Sequence, residues 1–122
     1  MFQSDSCHVE YLNNINAVFC KWKQFCSFDD YRSPLSYGLK LIHDNQSKTW
    51  ITDTSTGFEN EEADTRWLIE NFMPELIKSP CEEIIFIIAK DSPLQEEISG
   101  QKESLSKYFK VTLVESIETI SQ

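Results

Sequence analysis

Few residues in this chain have the types and spacing that chemistry needs. Cys7 and His8 are adjacent. Neighbours in a strand point to opposite faces, so they make a poor thiol–imidazole pair. Cys26 stands just before a predicted helix, where the positive end of the dipole lowers a thiol pKa. Only the fold could bring it to His43, and an inert thiol in a turn is the simpler reading. Asp53 and Asp91 each follow an apolar run. Together they would make a carboxylate pair for proton transfer or a Mg²⁺ ligand set, and capping of the next turn is the plainer role. Thr54 or Ser55 could accept a phosphoryl group. That adds about −1.5 to −2 charges beside Asp53 and Glu59, which Lys90 would have to offset. A local turn held by side-chain hydrogen bonds explains the same letters. Trp22, Trp50 and Trp67 suit the walls of an apolar pocket, although core packing accounts for at least two of them.

Other chemistries lack their signatures. With three glycines neither a phosphate loop nor a dinucleotide fingerprint can be written. No HExxH or GxSxG is present. The four cysteines, Cys7, Cys20, Cys26 and Cys81, contain no CxxC pair, so tight zinc pairs are missing. They read as reduced thiols, with Cys20 in the core. No catalytic residue, metal or cofactor is assigned.

The elements that would position these residues follow from changes of apolar period. Residues 7–12 and 15–23 alternate and flank Asn13-Asn14, which predicts a hairpin with a tight turn. Ser27 reads as the N-cap of a helix running to about His43, with Asp29 and Asp30 in its first turn and an awkward Pro34. Residues 48–53 predict a short strand. Asn60 would cap a second helix carrying Trp67, Leu68, Phe72 and Leu76, kinked or ended by Pro74. Residues 83–89 are apolar on both faces, as in an internal strand of a parallel sheet. A third helix at about 92–107 turns Leu94, Ile98, Leu105 and Tyr108 inward. Residues 109–114 suit an edge strand, and 116–121 a short last helix. The order β-β-α-β-α-β-α-β-α predicts one α/β domain over residues 1–122. Its sheet is five-stranded, mixed and mostly parallel, with an N-terminal antiparallel hairpin and three to four helices.

Composition narrows the partners. A chain of 122 residues with 40% apolar content, 3 Trp, 4 Tyr and 8 Phe can build one real core. Its 11 basic and 20 acidic residues give a formal charge of −9. A nucleic-acid or anionic-membrane surface needs clustered Lys and Arg, so both are poor candidates. No stretch approaches the ~20 apolar residues of a membrane span. Residues 1–10 lack the marks of a secretory signal, which points to a cytoplasmic protein.

Three segments resemble the SpoIIAA-like group of small bacterial proteins, which share the STAS fold of anti-sigma-factor antagonists. They are Lys21-Trp22 leading into Ser27-Phe28-Asp29-Asp30-Tyr31-Arg32, then Trp50-Ile51-Thr52-Asp53. The third is Asp64-Thr65-Arg66-Trp67-Leu68 with Phe72-Met73-Pro74-Glu75-Leu76 and the Ile84–Ala89 run. The resemblance covers about residues 7–120 and implies a βα superhelix with helices largely on one sheet face. It implies protein–protein regulation, with apolar ligands in some relatives. Antagonist members carry a phosphorylatable Ser in an Asp-Ser-Ser-Gly-type turn at the start of their second helix. Here Asp53-Thr54-Ser55-Thr56-Gly57 follows the strand directly, several residues before the predicted helix, so the likeness does not carry that switch over.

Ligands of open α/β sheets lie beyond the carboxyl ends of the parallel strands. The residues expected to meet a ligand or partner are therefore Ser27, Asp53, Thr54, Ser55, Lys90 and Asp91, with Trp50 and Trp67. The expected function is a non-enzymatic STAS-like regulatory or protein-interaction module that docks a partner or a second copy. The alternative is a carrier for a small apolar or lipid-like ligand.

Overall fold

A computed structural model of the chain describes residues 1–55, 61–89, 92 and 94–116. The expected Asn60 cap and the short last helix fall outside these residues, as do Lys90 and Asp91. The strands are β1 (Phe2–Gln3), β2 (Cys7–Leu12), β3 (Ala17–Trp22), β4 (Thr49–Asp53), β5 (Glu83–Ile87) and β6 (Lys110–Val114). They form one six-stranded sheet in chain order. β1, β2 and β3 pair antiparallel, and β3 through β6 pair parallel. The sheet therefore has six strands, not the five expected. The extra one, β1, is two residues long and shows no period to read.

The β2–β3 turn spans residues 13–16 rather than Asn13-Asn14 alone. Positive φ falls on Asn16, whose side chain accepts the Tyr11 hydroxyl at 2.6 Å. β5 lies between β4 and β6, and Ile84 through Ile88 are each 6% exposed or less. Water is kept from both of its faces, as the doubly apolar run requires.

Three helical rods pack on one face. α1 (Asp29–Asn45) sends Tyr31, Leu35 and Ile42 into the main core. It runs through Pro34 without breaking. Pro34 has no N–H for the Asp30 carbonyl, and the Cys26 thiol donates to that oxygen instead, at 3.5 Å. The second rod is α2 (Glu62–Trp67), a π turn (Leu68–Phe72) and α3 (Met73–Lys78). Pro74 neither ends nor interrupts it. The π turn lets Met73 N–H bond to Leu68, five residues back, in the stretch where a proline ring crowds an ordinary helical turn. α4 (Gln95–Leu105) buries Leu94 and Ile98. Tyr108, expected to face inward, is 61% exposed, and its neighbour Phe109 takes the core position.

The main core joins these helices to Val9, Val18, Cys20, Trp22, Trp50, Ile84 and Phe86 of the sheet. The other sheet face carries a smaller cluster of Ala17, Ile51, Ile85 and Ile87. Leu12, Ile15, Phe19 and Val114 pack around it and leave Ile51 fully buried.

α1 approaches β4 closely at Gly38. A Cβ there would stand 2.7 Å from Trp50 Cζ3, closer than real contacts allow. The ring is buried and packs edge-on against Phe72, so yielding to a methyl group would disturb that contact. Gly38→Ala is therefore expected to destabilise by about 1–3 kcal/mol through overpacking, despite alanine's better helix propensity. Urea denaturation measures it, and a stabilised variant would contradict the close approach.

Candidate functional site

Alternation along β4 divides its side chains. Trp50, Thr52 and Thr54 face the helices, and Ile51 and Asp53 face the other way. On the helix side of β3, β4 and β5 lies a cavity of about 110 Å³. Its sheet wall is Trp22, Trp50, Thr52, Thr54, Ile84 and Phe86. Tyr31 and Leu35 of α1 close one side, and Leu68, Phe72, Met73 and Leu76 of the second rod close another. Leu94, Ile98, Gln101 and Leu105 of α4 complete it. Trp22 stacks on Tyr31 with ring centres 5.0 Å apart. Trp50 meets Phe72 edge-on at 5.4 Å.

The walls are mostly aromatic and aliphatic, with polar groups at Thr52, Thr54 and Gln101. The Thr54 hydroxyl donates to the Ile87 carbonyl at 2.8 Å. No hydrogen bond is formed by the Thr52 hydroxyl within the described residues. Among the described residues no buried side-chain atom is sealed away without a partner, so this hydroxyl opens onto the cavity.

Of the residues expected at a site, Trp50 and Thr54 line this cavity. Asp53 points to the opposite face, 4.0 Å from Lys21. Its carboxylate accepts the Ser55 N–H at 2.9 Å and the Ser55 hydroxyl at 2.6 Å, which is a local Asx turn. The Asp53–Asp91 pair lies outside the described residues through Asp91. Ser27 is not the side-chain cap expected of it. Only its carbonyl is engaged, by Asp30 N–H at 3.2 Å.

A carboxylate from another element does that capping. Asp64, in the first turn of α2, is fully buried. It accepts the Phe28 N–H on both oxygens, at 2.9 and 3.1 Å. Arg32 Nε donates to it at 3.0 Å. Phe28 is held at φ 51°, ψ −124°, a conformation a bulky residue adopts only under constraint. The Arg32 guanidinium carbon sits 5.5 Å from the Phe28 ring centre and 5.6 Å from that of Trp67, within cation–π range. Trp67 therefore serves this junction and not the cavity.

The thiols are inert by placement. All four cysteines are buried and free, with Cys7 and Cys20 sulfurs 3.7 Å apart. Burial raises Cys26 from 9.0 to about 11, against the lowering expected from the helix end. Burial also raises Cys81 to about 11, and it raises Cys20 further, helped by its bond with Cys7. His43 lies in the last turn of α1 and Cys26 precedes the first. A 17-residue helix is about 25 Å long, so the two do not meet. Among the described residues no cluster of His, Cys, Asp or Glu could hold a metal ion, and no helix is long and apolar enough to cross a membrane.

A thiol held neutral in the fold but ionised when unfolded draws the chain toward the unfolded state in alkali. Its contribution is whole below pH 9 and lost as pH rises toward about 11. The denaturation midpoint is expected to fall across that window, and to fall less in Cys26→Ala and Cys81→Ala. A disulfide-forming thiol reagent at pH 8 should label the native protein only at the rate of unfolding. Rapid native labelling would contradict the burial.

Signals for two cavity residues were present in the sequence without being read. Leu94, Ile98, Gln101 and Leu105 make one helical stripe, so Gln101 is a polar residue where an apolar one belongs. Thr52 shares a face with Trp50 for the same reason of period. A scan of protein families and searches of curated proteins and of solved structures find no match to this chain.

Proposed function

We propose that this chain is a non-enzymatic binding domain that takes a small apolar ligand between its sheet and its helices. The observation that carries the reading is the cavity of about 110 Å³ beneath Trp22 and Trp50. Well-packed cores leave few voids larger than a water molecule. An apolar cavity of about 150 Å³ in another protein stays dry and binds benzene. The cavity in this chain runs along β4 and β5 from Trp50 and Ile84 to Thr54 and Phe86, between the sheet and the helices. Among the described residues its lining includes no carboxylate, amine or imidazole, which suits binding better than proton transfer. The likeness to SpoIIAA-like proteins fits the antiparallel entry, the parallel run and the one-sided helices, and some relatives of that group accept apolar ligands.

The test is thermal unfolding with and without benzene. A ligand that binds only the folded state at about ten times its Kd should add ~1.4 kcal/mol. An unchanged midpoint in saturating benzene, together with native mass spectra that show no retained small molecule, would reject the reading.

The regulatory, partner-docking reading has one observation in its favour. β6 pairs only with β5, and among the described residues no strand covers its outer edge. An open edge is a template for pairing with another chain. This reading expects mass to rise with concentration in light scattering, and a constant monomer mass would remove self-association.

A further inference from the structure

The geometry points to a specific ligand class for this cavity: small neutral molecules, at most a single six-membered ring, with one hydroxyl that Thr52 and Gln101 are placed to meet. This deepens the reading of the cavity as a ligand site and rests on it.

Thr52 carries most of the argument. It is 9% exposed, lies within β4 between Trp50 and Asp53, and its hydroxyl has no partner among the described residues. The hydroxyl opens onto the cavity, so it is paired only by what enters there, and left unpaired it carries a desolvation penalty. Valine has the same shape and β-branching and would fill this position without that penalty. The hydroxyl is therefore placed to bond something from outside the chain.

Gln101 is the second polar group. It faces the cavity from α4, and its carboxamide has no partner among the described residues. A carboxamide both donates and accepts, as a threonine hydroxyl does, so each can pair with a ligand hydroxyl. Thr54 competes little, because its proton is committed to Ile87.

Charge and size set the rest. Tyr31 is the single ionisable residue among the described residues of the lining. A carboxylate or ammonium buried here would find no counter-charge among the described residues of the lining, which is strongly unfavourable. This disfavours fatty acids and amines and favours alcohols and phenols. The volume of about 110 Å³ is below the about 150 Å³ of a cavity that accommodates benzene, so a single six-membered ring is the upper limit of size.

Calorimetric titration at pH 7 with phenol, benzene and benzoate tests the assignment. Phenol should bind about tenfold tighter than benzene, and benzoate at least a hundredfold weaker than phenol. Thr52→Val should bring phenol down to the benzene level and leave benzene unchanged. Thr52→Ser should keep the preference. Gln101→Leu, at a half-buried helix position that tolerates change, should reduce it. If benzene binds as well as phenol, or if benzoate matches phenol, the hydroxyl assignment fails while the cavity reading stands. A preference for phenol that survives both Thr52→Val and Gln101→Leu also defeats the assignment. If neither benzene nor phenol binds, the cavity reading fails and this inference fails with it.

Discussion

Replacing Asp64 with alanine is expected to lower stability by about 3 kcal/mol, within a range of roughly 2–4. Removing one partner of a buried ion pair ordinarily costs about 3–5 kcal/mol, because the other charge is left uncompensated. Here the remaining partner, Arg32, is 30% exposed and can turn partly to water, which lowers the figure. The Phe28 N–H loses both of its acceptor contacts, and loss of a helix cap adds about 1 kcal/mol. The strained backbone at Phe28 loses the contact that holds it. For a domain of this length the change corresponds to a fall of about 10–15 °C in melting temperature. Asp64→Asn keeps the shape and one acceptor oxygen and should cost about half as much. Denaturant unfolding of both variants measures the effect. A loss below about 1 kcal/mol for the alanine variant would mean that Asp64 is not what fastens α1 to α2.

Trp50→Ala should cost about 3–5 kcal/mol, the usual range for truncating a large buried aromatic. Trp50 is 4% exposed, lies edge-on to Phe72 and rests against Gly38 of α1. Its removal opens new space that merges with the existing cavity. The surrounding helices can close it only in part, since Gly38 has no side chain to move in. Indole should then stabilise the variant measurably, by ~1.4 kcal/mol at ten times its Kd, and leave the parent protein unaffected because it has no room for it. Urea unfolding with and without indole reads both effects. A small loss with no response to indole would place Trp50 at the surface.

The sequence revealed the elements better than their joints. β2, β3, β4 and β5 were legible because alternation and the doubly apolar Ile84–Ile88 run are local signals. Parallel order followed from the interleaved helices. Pro34 and Pro74 were misjudged because a broken helix is only one answer to a missing N–H. A thiol from Cys26 and a π turn are others, and neither has a local signature. Ser27 looked like a cap because capping is usually local, whereas the acceptor came from Asp64, 36 residues from Phe28. Tyr108 and Phe109 were exchanged by a shift of one position at a helix end, where period is hardest to assign. At the site, Trp50 and Thr54 were legible by rim position and residue type. Thr52 and Gln101 show only as polar letters in apolar periods, a pattern that acquires meaning once the facing elements are known.

The π turn and Pro74 constrain each other in how this chain can vary. A π turn is an α-helix with one residue to spare, so deleting exposed Ile69 (62% exposed) would restore ordinary winding without turning Leu76 away from the core. That shorter helix would press the proline ring against the carbonyl one turn earlier. The deletion is therefore expected to be tolerated only alongside Pro74→Ala, and a lineage could lose or gain the extra residue only by passing both changes together.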